Sequence, residues 1–403
     1  MSESCLLVGA GAEVGLGLPS GPKFLLDTYF TKKPTMYEAL RDFYETKCTL
    51  PKGIPGYRAE YLFTPHSAAF HSLADNLNEV NPQYVSSLLG TPAIDETLTD
   101  KQYDILFEKL IYEDSNEPST REDIVEAASN IESGFYGSLE SMYSTLIHPD
   151  EHKNKFWRLL NYYWAAYFSI LLPVISRNPS LLPGFDADYK SILGNLGEIT
   201  RIIWDDTFVE RFVDKNTYHA VFRNKFDFVL TTNYTPYSRA FLKRQDQGCE
   251  DALYLAGSLV EFESASMLEH QRCVETDPCD LGCPFPYLMT RSPVKPIIDA
   301  QQLQTYAEAI NALDDSSLLV VLGYSFCDDD AHIAALVRSF LSNDSKQMVF
   351  LGYDDVSVEQ HTGALQRALR VDANVMDRVQ VLPVHDVHSP AVEEVGKLLS
   401  ALQ

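Results

Sequence analysis

Several short stretches of this chain carry residues able to do chemistry, each where an apolar run gives way to small or polar residues. GAGAEVGLGLPSG, residues 9–21, follows an apolar run. Glycines there let backbone N–H groups approach a pyrophosphate, with the positive end of a following helix behind them. FDFVLTTNYTPYSRAF, residues 226–241, puts the amide of Asn233 just past a buried run, where it can meet a ribose hydroxyl, orient a water or cap the next turn. LYLAGSLVEF, residues 253–262, ends its apolar run at Ala256, Gly257 and Ser258, with no polar group at the first position of the turn. LGYSFCDDDAHI, residues 322–333, repeats the pattern of apolar run, glycine and hydroxyl and adds three aspartates. The simpler reading of those aspartates is helix capping, ahead of a helix with Ile333, Leu336, Val337 and Phe340 on one face.

Two other chemistries fit less well. The dinucleotide fingerprint of hydride-transfer enzymes would need its third glycine at Val14, and Gly15 comes one place late; no second strand ending in an acidic residue follows about 20 positions on. HQRCVETDPCDLGC, residues 270–283, offers His270, Cys273, Cys279 and Cys283 as zinc ligands. Their spacing is looser than that of a paired zinc knuckle, so free thiols are the simpler reading and no metal is assigned.

The elements that must position these residues change character along the chain. After CLLVG, residues from about 31 to 219 show helical periodicity with no convincing alternation of strand type. In one such helix Thr120 and Asp123 suit a capping box, and Ile124, Ala127, Ala128 and Ile131 share a face; Phe135, Leu139, Met142 and Leu146 form a second face. From about residue 220, FDFVLTT, ALYLAG, LLVVLG, MVFLG and VQVLPV alternate with helical stretches, the pattern of a mostly parallel sheet with crossover helices. The expected fold is α/β: a Rossmann-like, mostly parallel sheet from residues 1–30 and 220–403, with residues 31–219 as a helical module inserted between the first and second strands. Ligands of such sheets bind beyond the carboxyl ends of the strands. Here those ends carry Gly9 to Gly11, Thr231 to Asn233, Ala256 to Ser258, Gly323 to Ser325 and Gly352 to Asp354.

Composition narrows the partners. With 32 basic against 57 acidic residues the net charge is −25, which disfavours phosphate backbones and anionic lipid. WAAYFSILLPVI, residues 164–175, is interrupted by Pro173 and is shorter than the roughly 18 to 20 residues of a membrane span, so it reads as a buried helix. The amino terminus does not read as a secretory signal, and seven irregularly spaced cysteines suit a reducing cytoplasm.

Taken in order, GAGAEVGLGLPSG, TTNY, LAGS and LGYSFCDDDAHI resemble the sirtuin-like superfamily, and within it the NAD hydrolase effectors of bacterial anti-phage defence. The resemblance covers residues 1–30 and about 220–403; the helical block matches in position only. It implies an NAD site made from Gly9, Ala10, Gly11, Ala12, Glu13, Pro19, Ser20, Thr231, Thr232, Asn233, Tyr234, Gly257, Ser258, Gly323, Tyr324, Ser325 and Asp328, and cleavage of NAD to ADP-ribose and nicotinamide. Asn233 matches the family's asparagine, which positions the ribose hydroxyls and water. Ala256 stands where the family has the histidine base of a His-Gly-Ser turn; in a rim otherwise intact this reads as a deliberate His-to-Ala change, leaving the chain impaired. The sequence departs from the pattern again at Glu13, usually a small polar residue whose replacement by a carboxylate would repel pyrophosphate unless it points away, and at Thr235, often Asp. The paired zinc ribbon of deacetylases is missing. The resemblance further implies a homo-oligomer or a sensor protein as partner and restraint on the activity. A non-enzymatic NAD or ADP-ribose binding subunit and a sirtuin-type protein deacylase are the alternatives.

Overall fold

The computed structural model describes residues 3–18, 34–50, 56–58, 68–80, 82–91, 97–112, 153–180, 182, 184–212, 216–243, 251–265, 270–289, 300–326, 330–353 and 355–402. The helix read over residues 120–131, its continuation to Leu146, and Pro19, Ser20, Asp328 and Asp354 lie outside them.

The strands in chain order are β1 (Glu3–Val8), β2 (Phe228–Thr231), β3 (Leu253–Tyr254), β4 (Gly257–Ser264), β5 (His270–Arg272), β6 (Pro284–Leu288), β7 (Ser316–Leu322), β8 (Gln347–Tyr353) and β9 (Val379–Val384). Six of them form one sheet in the order β3-β2-β1-β7-β8-β9, every neighbouring pair parallel. Counting only these strands, the order is 3-2-1-4-5-6, that of a doubly wound nucleotide-binding sheet. The fold is therefore α/β and Rossmann-like, and its strand order reverses between β1 and β7.

Side-chain alternation explains why these strands read as continuous apolar runs. Leu6 and Val8 of β1 enter one core while Cys5 and Leu7 enter the other; Leu318, Val320 and Leu322 of β7 likewise oppose Leu319 and Val321. Both faces are covered, as a parallel sheet requires. The helices Ala331–Leu341 and Val358–Leu369 carry the chain from β7 to β8 and from β8 to β9, and with helix Ala300–Asp315 they cover the face of Cys5 and Leu7. The face of Leu6 and Val8 packs against helix Pro390–Leu402 and against aromatic residues of the helices between β1 and β2. Among the described residues of that interval no strand occurs.

The long helix Lys153–Arg177 anchors this helical region. Pro173 lies inside it, so the apolar stretch runs on where the sequence suggested an interruption: neighbouring elements, not local propensity, decide its length. Its segment Leu159–Arg177 spans 19 residues and is long and apolar enough to cross a membrane by length and composition, but 78% of it is buried inside the protein. The burial is specific. Trp164 Nε1 donates to Tyr44 Oη at 2.7 Å, Tyr44 Oη donates to the Pro284 carbonyl at 2.9 Å, and Tyr167 Oη donates to the Leu259 carbonyl at 3.1 Å.

Those two carbonyls belong to an element the sequence did not reveal, a three-stranded antiparallel sheet in the order β5-β4-β6. All eight residues of β4 are buried, which removes the alternation that marks an antiparallel strand, and Pro284 and Pro286 in β6 argue locally against pairing. His270, Cys273, Cys279 and Cys283 all lie in or beside this sheet. Among the described residues no three His, Cys, Asp or Glu side chains are grouped to hold a metal. All four thiols described around it, those of Cys48, Cys273, Cys279 and Cys283, are free, and burial raises their pKa values.

Candidate functional site at the strand switch point

Strand register brings the sequence-predicted residues into one row. Val8 pairs with Thr231 of β2 and with Leu322 of β7, and Thr231 pairs with Tyr254 of β3. Two residues beyond these pairs stand Ala256, Asn233, Ala10 and Tyr324, one from each strand end, across the point where strand order reverses. Ala10, Gly11, Thr232, Tyr234, Ala256 and Gly323 are half-buried and Ser325 is exposed, so this rim meets solvent. The ring of Tyr324 turns inward to the core, edge-on to Phe326 at 4.8 Å.

The glycines of the first loop pack against the loop after β7. A Cβ on Gly9 would lie 2.4 Å from the Gly323 carbonyl oxygen, and one on Gly11 would lie 2.9 Å from Gly323 Cα. These residues let the β1 and β7 loops touch backbone to backbone. Their N–H groups serve the same contact, Gly9 donating to Leu322 O at 2.9 Å and Gly11 to Gly323 O at 2.8 Å, while Ala12 donates to Gly9 O at 3.0 Å. The N–H groups of Gly9, Gly11 and Ala12 are thus committed within the protein. The helix expected behind them is a 3-10 helix, Ala10–Leu16, ended at Gly17 in the left-handed region, too short for a strong axial dipole.

Asn233 is fixed from two sides. Its backbone N–H donates to Thr231 Oγ1 at 3.0 Å, and Thr231 Oγ1 lies 3.0 Å from Ser238 Oγ. Its side-chain Nδ2 donates to Gly9 O at 3.1 Å. The amide thus ties the ends of β2 and β1 together beside the switch point instead of capping the turn that follows. Thr232 reinforces the junction through its N–H to Val8 O at 3.0 Å, and Tyr234 Oη donates to Met289 O at 2.8 Å.

Glu13 and Thr235, the two departures from the family pattern, meet each other. Thr235 Oγ1 donates to Glu13 Oε2 at 2.7 Å. The carboxyl is only 3% exposed, so it turns into the protein and away from solvent. Burial pushes its pKa up to about 7, against the stabilising hydrogen bonding of Thr235 and Asn233. Nothing in the sequence signalled this direction; a Glu in the first turn after a strand ordinarily faces solvent.

The turn after β3 is held as tightly. Leu255 N–H donates to Thr231 O at 2.9 Å and Met289 N–H to Ala256 O at 2.8 Å, and Tyr254 Oη donates to Thr235 O at 3.0 Å. Gly257 has φ +84°, and a Cβ there would lie 2.3 Å from Tyr287 O, so only glycine suits the position. Ser258 is fully buried, and its Oγ has no hydrogen-bond partner among the described residues. Asp330 occupies the N-cap position of helix Ala331–Leu341 without a side-chain capping bond, whereas the apolar face of that helix is buried as its periodicity predicts. A separate cleft of about 870 Å³ opens along the β3 edge, lined by Asp227, Asp251, His270, Arg272, Tyr287 and Tyr306 among others.

No protein-family model matches the chain, nor does any curated protein. Among solved structures the chain is similar to a Sir2 homologue in complex with NAD, at 11% identity and a TM-score of 0.29, over 53% of this chain and 74% of that one. It is similar also to a structure described for the mechanism and regulation of Sir2 enzymes, at 13% identity and TM-score 0.28, covering 53% and 80% of the two chains. Sir2Tm bound to a propionylated peptide gives 17% identity and TM-score 0.27, covering 56% and 88%. At these values the similarities add nothing to the sheet order already described.

Proposed function

We propose that the strand-end rim binds NAD, and that the chemistry it is built for is cleavage of the bond between nicotinamide and ribose. The observation that carries this reading is Asn233: an amide fixed beside the switch point of a doubly wound sheet, bonded to Gly9 O at 3.1 Å, two residues past the Thr231–Tyr254 pair as Ala256 is on the neighbouring strand. Cleavage of an N-glycosidic bond passes through an oxocarbenium-like state, which needs the ribose held and a nucleophile assisted. Asn233 supplies the first; Ala256 leaves no side chain for the second. The chain as it stands is thus a binder with very slow turnover. In its full form the activity is that of an effector in bacterial anti-phage defence, restrained by assembly with itself or with a sensor protein.

The second reading, a non-enzymatic subunit that binds NAD or ADP-ribose, is favoured by Ala256 itself. Both readings need the rim to bind. Asn233→Ala is expected to weaken NAD binding roughly tenfold, the loss of one well-fixed hydrogen bond, with circular dichroism unchanged. The check is a calorimetric titration of both proteins; equal affinity would remove Asn233 from the site.

A further inference from the structure

We propose that the ring of Tyr353 is the platform on which the base of the half of the ligand remote from nicotinamide stacks, so that this half is recognised through its flat face and with little regard to which base it carries. This rests on the reading of the rim as an NAD site and adds the residue that holds its second half.

Strand order places the ring. Tyr353 closes β8, and β7 lies between β8 and β1. Leu351 pairs with Leu322 and Leu322 with Val8, so Tyr353 stands level with Tyr324 and Ala10, two residues past those pairs. Its Oη donates to Gly11 O at 2.9 Å, and Gly11 itself sits against Gly323 at the end of β7. The side chain therefore reaches inward from β8 over the carboxyl end of β7. Asn233 and Ala256 follow β2 and β3, on the other side of β1. The two halves of a dinucleotide lie either side of the switch point of such a sheet; with the nicotinamide ribose at Asn233, the second base falls over β7 and β8, where this ring lies.

The ring is both held and open. His361 Nε2 lies 2.8 Å from the Tyr353 carbonyl oxygen, and the His361 ring fills the space beside Gly352, where a Cβ would come within 2.7 Å of it. The bond to Gly11 O fixes the far end. Yet Tyr353 is 42% exposed, the one aromatic among the large apolar side chains exposed in the described residues. A flat ring pinned at both ends and open to solvent offers a base a stacking surface that needs no ordering when the ligand arrives. Its surroundings suit an apolar face: Val14, in the 3-10 helix after β1, and Val358, at the start of the helix after β8, are exposed as well. The polar groups of that helix start are engaged, Ser357 and Gln360 capping each other's backbone N–H. The contact is made by a side chain, so the backbone amides of β8 stay in their ladder.

The test is calorimetric titration of the full chain with NAD and with its two halves, AMP and nicotinamide mononucleotide. Tyr353→Ala should bind NAD and AMP roughly tenfold more weakly, the usual worth of one base stacked on an aromatic ring. Nicotinamide mononucleotide should change by less than about twofold, because its half lies beyond β1. Tyr353→Phe keeps the ring and gives up only the bond to Gly11 O, so its loss should be smaller, roughly threefold. Every base has a π-face, so the parent should bind nicotinamide hypoxanthine dinucleotide within about threefold of NAD. Asp355, the carboxylate whose charge reaches Tyr353, should be replaceable by Ala with NAD affinity unchanged. Should Tyr353→Ala prevent folding, Tyr353→Leu, which keeps bulk without a π-face, takes its place. Unchanged NAD and AMP affinity in that variant, an equal loss for both halves, or a Phe variant as weak as the Ala variant overturns the proposal while leaving the NAD site intact. So does failure of the hypoxanthine dinucleotide to bind, or an Asp355→Ala loss matching that of Tyr353→Ala, either of which puts recognition in hydrogen bonds to the base edge. No NAD binding by the parent overturns both the proposal and the site reading.

Discussion

Ala256→His is expected to raise nicotinamide release from NAD by roughly 10²- to 10⁴-fold, the usual contribution of a well-placed general base. The expectation comes from the frame around the position. Leu255 is bonded to Thr231 O and Ala256 O is held by Met289 N–H, so the backbone that would carry the imidazole is already fixed, two residues past the Thr231–Tyr254 pair as Asn233 is. Nothing has to be rebuilt except the side chain. The measurement is chromatographic detection of nicotinamide from parent and variant under the same conditions, with and without acylated peptide. Free nicotinamide without peptide identifies a hydrolase, and release only with peptide identifies a deacylase. A histidine variant that binds NAD but releases nicotinamide no faster than the parent favours the non-enzymatic subunit.

Gly323→Ala should be the most damaging small substitution in the rim, costing about 3 kcal/mol or more of stability. Two effects combine. Gly323 has φ +66°, a conformation that costs an L-residue roughly 1 to 2 kcal/mol. A Cβ there would also lie 2.1 Å from Ala12 N and 2.7 Å from Gly11 C, backbone atoms that cannot swing aside, and such overpacking costs about 1 to 3 kcal/mol. Gly15→Ala provides the contrast, because its Cβ would meet nothing within 4 Å; it should leave stability within about 0.5 kcal/mol of the parent. Urea unfolding of the three proteins checks both. Comparable stability of Gly323→Ala and the parent would show that the β1 and β7 loops do not pack as described.

These glycines illustrate what could and could not be read from sequence. GAGAEVGLGLPSG identified the loop and its place after the first strand, because glycine and small residues after an apolar run are a local signal. Whether the missing Cβ makes room for a ligand or for another loop depends on Gly323, more than 300 positions away, and no local pattern carries that. All six parallel strands were visible as apolar runs, since a sheet covered on both faces writes itself into sequence that way. The small sheet around β4 was not, because complete burial erased its alternation and prolines stood where its third strand pairs. Asn233 was recognisable as a polar residue at a strand end, while its partner Gly9 O was not. Glu13 was noted only as a charge in an awkward place; its burial and its contact with Thr235 turn two apparent departures into one hydrogen-bonded unit. The buried helix read over residues 164–175 runs through Pro173, carried by tertiary packing.

The central claim, that NAD lies on the rim where strand order reverses, is tested most directly by amide hydrogen exchange on the chain as it stands, with and without saturating NAD. Binding there predicts slower exchange concentrated in the turns after β1, β2, β3 and β7, around Ala10 to Glu13, Thr232 to Tyr234, Ala256 to Ser258 and Gly323 to Ser325, with the rest of the sheet unchanged. Protection gathered instead along the cleft at the β3 edge, around His270, Arg272 and Tyr287, or no protection anywhere, would contradict it.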